Sequence, residues 1–193
     1  PLGWGIGPAL EAREALSTLM GGGPPDLREK AVSLASMLFE MVDVQNPRGM
    51  AEEMIDSGKA MKKMREIIEA QGGDPAVKPE DLPVGPESVK VRSQQAGKVF
   101  WLSTDDIVRI AREAGAPKEK GAGVVLHAKL GGDVYKNGVL FEIYAERPSK
   151  LESALELAGQ LSPIVLSKKP EERMILDKIP EKITHKKTFM LDR

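Results

Sequence analysis

Two histidines, His127 and His185, are the first residues to weigh for metal or acid–base chemistry in this 193-residue chain, because imidazole both ligates transition metals and titrates near neutrality. They lie far apart, and neither has a second histidine or an acidic residue at ligand spacing, so no catalytic zinc site is expected. His127 reads instead as a strand residue. The run Gly3-Trp4-Gly5-Ile6-Gly7 precedes a helical pattern, where backbone amides can cradle an anion. It has neither the dinucleotide spacing nor the lysine-serine ending of a nucleotide loop, and a plain strand-to-helix turn is the simpler expectation. Cysteine is absent altogether. That excludes disulfides, thiolate metal sites, iron–sulfur clusters and cysteine nucleophiles, and it fits a reducing compartment such as the cytoplasm.

A lysine flanked by methionines is the pattern on which biotin is carried, and Ala60-Met61-Lys62-Lys63-Met64 superficially matches it. A carrier lysine must sit on an exposed hairpin tip, whereas these residues continue a helical pattern with Ile67 and Ile68. The stretch from Gly132 through Val134, Asn137 and Phe141 to Ile143 resembles the closing half of a biotinyl or lipoyl domain more closely. That is a likeness of fold alone, since no suitably flanked lysine precedes it in the strand-rich region. No organic cofactor is expected.

Charge and length narrow the partners. Lysine and arginine number 28 against 29 acidic residues, a net charge of −1, so no global field recruits nucleic acid or an acidic membrane. The lysines at Lys168-Lys169, Lys178 and Lys186-Lys187 alternate with Glu171, Glu172, Asp177 and Glu181 and read as a solvated face. No apolar run approaches the ~20 residues that span a bilayer, and the first residues lack a signal-peptide pattern. Pro1-Leu2-Gly3 reads as the interior of a longer protein rather than a natural start.

The elements that must position any site fall into two groups. Spacing predicts a helix from Pro8 to Met20, closed by Gly21-Gly22-Gly23. A second helix follows, capped by Asp26, with Leu27, Ala31, Leu34, Leu38 and Met41 on one face and Ala35 and Phe39 broadening it, which implies deep burial. Shorter helices are expected from about Arg48 to Ser57 and from Lys59 to Ala70. The first seventy residues therefore read as all helical, either a bundle or the flank of a sheet supplied by other residues.

Residues 74–86 hold Pro75, Pro79, Pro83 and Pro86 among polar residues and read as a hinge. Beyond it the period changes. Val89–Arg92, a buried Gly97–Leu102, Gly123–Leu130 and Val139–Ala145 read as strands. A helix capped at Ser103 and running to Gly115, and another from Lys150 to Leu161, interrupt them. Gly131-Gly132-Asp133 and Lys136-Asn137-Gly138 read as tight turns around Val134. The expected fold class is α+β: residues 1–73 as helices flanking a sheet supplied elsewhere, the 74–86 hinge, and 87–193 as an α+β domain.

Several stretches together carry a family resemblance: Pro1-Leu2-Gly3, Gly7-Pro8-Ala9-Leu10-Glu11-Ala12, Ser57-Gly58-Lys59-Ala60, and Ile67-Ile68-Glu69-Ala70-Gln71-Gly72-Gly73-Asp74. The chain resembles the thymidine and pyrimidine-nucleoside phosphorylases over their carboxy-terminal part, with the second unit similar to their barrel-sandwich hammerhead domain. Ala114-Gly115-Ala116-Pro117, Lys120 to His127 and Leu140 to Glu146 look like the archaeal AMP phosphorylase branch. The bacterial thymidine enzymes usually carry a Gly-Ala-Gly-Arg turn in place of the first stretch.

The resemblance implies phosphorolysis of AMP to adenine and ribose 1,5-bisphosphate, with inorganic phosphate as co-substrate. It implies that the phosphate-gripping loops, the base contacts and the general acid lie upstream of Pro1, so no catalytic residue is assigned and the segment alone is expected to be inactive. It also implies a monovalent cation held by the carbonyls of Leu2 and Gly5 and by Glu14, a donor set suited to a hard cation; otherwise Glu14 is a surface residue balanced by Arg13 or Lys30. Expected partners are the nucleotide, phosphate and further copies in a homo-oligomer, without nucleic acid or membrane. The alternatives are a pyrimidine-nucleoside phosphorylase, or a non-catalytic assembly module that docks through exposed strand edges.

Overall fold

The computed structural model describes residues 1–167. The lysine-rich stretch from Lys168 onward, with His185, lies outside the described residues. The amino-terminal part is not wholly helical: a two-residue strand, β1 (Gly5–Ile6), precedes α1 (Pro8–Leu19), α2 (Pro25–Glu40), α3 (Pro47–Asp56) and α4 (Lys59–Ala70). A 3₁₀ turn (Pro79–Asp81) lies in the proline-rich stretch. Then follow β2 (Glu87–Arg92), β3 (Gly97–Leu102), α5 (Thr104–Glu113), β4 (Gly123–Leu126), β5 (Asp133–Val134), β6 (Val139–Ala145), α6 (Pro148–Leu161) and β7 (Ile164–Ser167).

Two antiparallel sheets form among the described residues. One runs β1-β4-β6-β2 and the other β5-β3-β7. In the first, Val124 faces Ile143 and Leu126 faces Phe141 across β4 and β6, while Val91 faces Phe141 across β2 and β6. Strand alternation sends Phe141, Ile143 and Ala145 to one face, where they pack with Ile107, Ile110 and Ala111 of α5 and Ala154 and Ala158 of α6. That single core is where the helices of the second unit are anchored. The Ser103 hydroxyl accepts a bond from the Asp106 amide at 3.3 Å, as the cap pattern predicts.

Three local expectations are corrected. Asp26 does not cap α2; Pro24 is the flanking residue and Pro25 occupies the first helical position, where its missing N–H costs nothing. Strand β3 is not buried, since only Val99 is enclosed while Phe100 and Trp101 are exposed. Its sheet has three strands, and the register slips between Val99 and Trp101, a bulge that turns both rings outward. Strand β4 stops at Leu126 because the amides of His127 and Ala128 both donate to the Leu140 carbonyl, ending the regular ladder before the Gly131-Gly132 turn.

A second, smaller core joins α2 to α3 and α4 through Val32, Ala51 and Ile55, with Ala35, Phe39 and Ala60 alongside. Deep burial of α2 is not found: Leu34, Leu38 and Met41 face solvent, because this chain packs only the opposite side of the helix. The Met61-Lys62-Lys63-Met64 segment lies within α4 with Met61 buried, which is a helix and not a hairpin tip.

Candidate functional site: the glycine loop and its carboxylates

Strand β1 lies at the edge of the first sheet, with Gly5 opposite Val125 and the Trp4 carbonyl accepting from the Leu126 amide at 2.8 Å. The approach is close because neither side carries a side chain at the crossing. A Cβ on Gly7 would come within 3.0 Å of the Gly123 Cα, and one on Gly123 within 2.8 Å of Leu10 Cδ1. Gly7 also has φ +137°, open to glycine alone at little cost.

The amides of this loop do meet anions, and the anions are the chain's own carboxylates. Glu14 Oε1 accepts from the amides of Trp4 at 2.9 Å and Gly5 at 2.8 Å, and Oε2 from Trp4 at 3.1 Å. Glu11 Oε1 accepts from Gly7 at 2.9 Å, and Asp26 Oδ2 from Gly3 at 3.3 Å. The next amide in α1, that of Ala9, donates to the Lys120 carbonyl at 3.1 Å. The start of α1 is thus occupied from within, which is why it behaves as a turn between strand and helix.

The charge near Glu14 comes from Lys129, in the loop between β4 and β5, and not from Arg13 or Lys30. Lys129 Nζ lies 2.5 Å from Asp26 Oδ2 and 4.5 Å from the centre of the Trp4 ring, a cation–π contact. Arg13 turns away, donating through Nε at 2.8 Å and Nη2 at 2.5 Å to the Leu82 carbonyl. Burial raises the Glu14 carboxyl above its ordinary range, and the Trp4 and Gly5 amides and the Lys129 charge pull it back only in part. Burial would also raise Asp26, but the hydrogen bond and charge of Lys129, with the Gly3 and Leu27 amides, outweigh it and hold that carboxyl low.

Of the residues named for a monovalent cation, Gly5 and Glu14 meet at this edge, the Gly5 amide donating to Glu14 Oε1 at 2.8 Å, while the Leu2 side chain is exposed. Glu14 keeps a lone pair on Oε2, and Gly5, opposite Val125 in a pair that is not hydrogen-bonded, turns its carbonyl as well as its amide to the open side. A half-buried carboxylate raised by desolvation would gain from a cation beside it. Among the described residues no group of three His, Cys, Asp or Glu side chains is arranged to hold a metal, and no helix is long and apolar enough to cross a membrane.

A polar cluster missed in the sequence sits on the opposite face of β6 from the core. Glu142 is largely buried, accepts from the Ser88 hydroxyl at 3.2 Å, and lies 3.7 Å from His127 Nε2. Burial raises the neighbouring Tyr144 hydroxyl, and the charge of Glu142 and a hydrogen bond to it add to the shift. Alternation of Glu142 and Tyr144 with apolar neighbours was the signal for this face.

Residues 99–165, which hold α5, β4, β5, β6 and α6, match the pyrimidine nucleoside phosphorylase C-terminal domain. The chain is a homologue of the carboxy-terminal part of that family. Its relatives include the AMP phosphorylases of Pyrococcus abyssi and Pyrococcus horikoshii, 52% and 53% identical over 169 residues, which cover 85% of this chain and 33% of each relative. The AMP phosphorylase of Thermofilum pendens is 44% identical over 179 residues, covering 93% of this chain and 35% of the relative. The chain spans about a third of the length of these curated relatives.

Proposed function

We propose that this chain supplies the carboxy-terminal part of a nucleoside-monophosphate phosphorylase that converts AMP and phosphate to adenine and ribose 1,5-bisphosphate. The observation that carries the reading is the 44–53% identity to AMP phosphorylases over most of the chain. In that reaction a phosphate oxygen forms a bond to C1′ of the ribose, the bond from C1′ to the base nitrogen breaks, and the departing adenine takes a proton from a general acid. Those groups belong to the rest of the enzyme.

This chain's part is to shape and close the site. Residues 8–73 line the catalytic unit, 74–86 serve as a hinge, and the domain from residue 87 onward, with β1 held in its sheet, moves as a lid that excludes water, so that phosphate and not hydroxide attacks. The carbonyls of Leu2 and Gly5 and the carboxylate of Glu14 would hold a monovalent cation, which when bound neutralises Glu14 and stiffens the glycine loop. A cytoplasmic homo-oligomer suits the freely diffusing nucleotide substrate and the absence of cysteine.

The test replaces the matching third of the Pyrococcus horikoshii enzyme with this chain and assays adenine release from AMP in phosphate, with thymidine and uridine in parallel. Adenine release by the fusion, and none by the chain alone, is expected. A folded fusion inert towards AMP rejects the reading, and turnover of thymidine or uridine alone assigns the pyrimidine branch. The exposed Phe100, Trp101 and Val165 on β3 and β7 favour a second reading as an assembly module. A stable oligomer of the chain that Trp101→Glu dissolves, together with an inert fusion, would select it.

A further inference from the structure

The chain holds two asparagines, Asn46 and Asn137. An asparagine loses its side-chain amide when the nitrogen of the next residue attacks Cγ, and the attack is easiest before glycine, which has no side chain to hinder it. Asn46 precedes Pro47, whose ring nitrogen carries no hydrogen, and is closed to this route. Asn137 precedes Gly138 in the turn between β5 and β6, where it is exposed and left-handed at φ +65°. It is the one asparagine of the chain open to the reaction.

The fold holds each backbone group that the attack must move. The Gly138 amide, which supplies the nucleophile, donates to the Tyr135 carbonyl at 2.8 Å, and the Gly138 carbonyl accepts from the Ser93 amide at 2.9 Å. The Asn137 amide donates to the Ser93 carbonyl at 2.9 Å, and Arg92 Nη1 donates to the Asn137 carbonyl at 2.9 Å. Three of these four bonds therefore run to the last residue of β2 and the one after it. Arg92 contributes the side-chain bond, and it stands where the register of β2 against β6 shifts, a break in the regular ladder. We propose that Asn137 is a deamidation site that Arg92 latches shut, opened when the end of β2 lets go of the turn. In the opened turn the Gly138 nitrogen gives up its proton to water and bonds to Cγ of Asn137. The bond from Cγ to Nδ2 breaks, and ammonia leaves a cyclic imide. Water then opens the imide at either carbonyl, giving aspartate or isoaspartate. Isoaspartate carries an extra methylene in the main chain, so the two Ser93 bonds to residues 137 and 138 cannot both be remade. The change thus fixes the strand end in its opened state and loosens the edge where Val91 faces Phe141.

The 193-residue chain is incubated at pH 8, folded in buffer or unfolded in urea, then digested in acid, and the mass gain of the Asn137 peptide is followed by mass spectrometry. Conversion at least tenfold slower in the folded chain is expected, its rate following the population of the opened turn. Arg92→Met removes the charge-assisted bond and keeps most of the stem, so it should speed conversion of the folded chain at least fivefold and leave the unfolded rate unchanged. Gly58→Ala weakens α4 in the other unit and should leave the folded rate at the wild-type value, because the opening is local. Equal rates in folded and unfolded chains overturn the proposal, as does a folded Arg92→Met chain that converts no faster than wild type. Acceleration by Gly58→Ala to the level of Arg92→Met overturns it too, since unfolding of the whole chain would then be the route. The isoaspartate form, separated from the unconverted chain, is expected to melt at least 3 °C lower. An unchanged melting temperature would mean that the strand end closes again and that the modification leaves no lasting opening.

Discussion

The Lys129 ammonium sits 2.5 Å from Asp26 and 4.5 Å from the centre of the Trp4 ring, so one side chain of the β4–β5 loop joins the second unit to both the glycine loop and the first turn of α2. Lys129 and its two partners come from three separate parts of the chain. None of the pairings is local, and the contact forms only when the two units are in register.

A double-mutant cycle of Lys129→Met and Asp26→Asn, followed by urea unfolding, is expected to show coupling of about 0.5–1 kcal/mol at pH 7, a value kept small because the Asp26 side chain is 41% exposed. Asp26 is held below its unfolded value, so its contribution is complete above that value and is lost as pH falls through the depressed folded one. The coupling should therefore fade below about pH 4. Zero coupling at neutral pH would show that the contact does not bind the two units.

Glu14 should behave in the opposite sense. Its folded value is raised, so its contribution is complete below the unfolded value and declines as pH rises through the folded one. Measured against Glu14→Gln, which does not titrate, the wild-type advantage should be larger at pH 4 than at pH 8. Adding potassium at pH 8, against choline at equal ionic strength, should restore part of it if Leu2, Gly5 and Glu14 hold a cation. A potassium effect that persists in Glu14→Gln would place the ion elsewhere.

Two glycines with left-handed backbones separate packing from conformation. Gly7 faces the Ala122–Gly123 backbone, whereas a Cβ at Gly58 meets nothing within 4 Å. Gly58→Ala should cost about 1 kcal/mol, the conformational share alone. Gly7→Ala should cost more than about 3 kcal/mol, since β1 would have to leave β4. Thermal melts of the two variants decide it, and equal losses would mean that the β1–β4 approach can relax.

How much of this was legible follows the range of the interactions. The bounds of β3, α4 and β6 could be read directly, because apolar period, Gly58 and Asn137-Gly138 act within a few residues. Helix α2 could also be found, but not its exposure: a stripe such as Leu34, Leu38 and Met41 reads the same whether the covering layer is present or not. Leu2, Gly5 and Glu14 came through the family resemblance, and the approach of Glu14 to Gly5 is made by the turn from β1 into α1. Lys129 could not have been found, since 103 positions separate it from Asp26 and no period links them. Strand β1 was hidden for a similar reason, as two residues carry no alternation and only the glycines at Gly7 and Gly123 permit the pairing.

Arg13 bears on whether residues 74–86 can act as a hinge. Its guanidinium donates twice to the Leu82 carbonyl, fastening that stretch to α1, while the Gly85 amide donates to the Gly121 carbonyl at 2.8 Å and fastens its far end to the second unit. A segment tied at its end to one body and near its middle to the other has its freedom set by the weaker tie. The Gly121 amide is further held by Glu146 at 2.9 Å, so the second tie is reinforced and the first depends on one side chain. Arg13→Met removes the charge-assisted bond, with its typical 1.5–3 kcal/mol, and keeps most of the apolar stem, so α1 should persist while the linker loosens. Cleavage after the exposed Glu80 by a glutamate-specific protease is expected to speed up by about tenfold, the rate following the population of the opened state. An unchanged rate, with circular dichroism showing α1 intact, would mean that the prolines and the Gly85–Gly121 bond alone hold the segment, and that Arg13 does not control its movement.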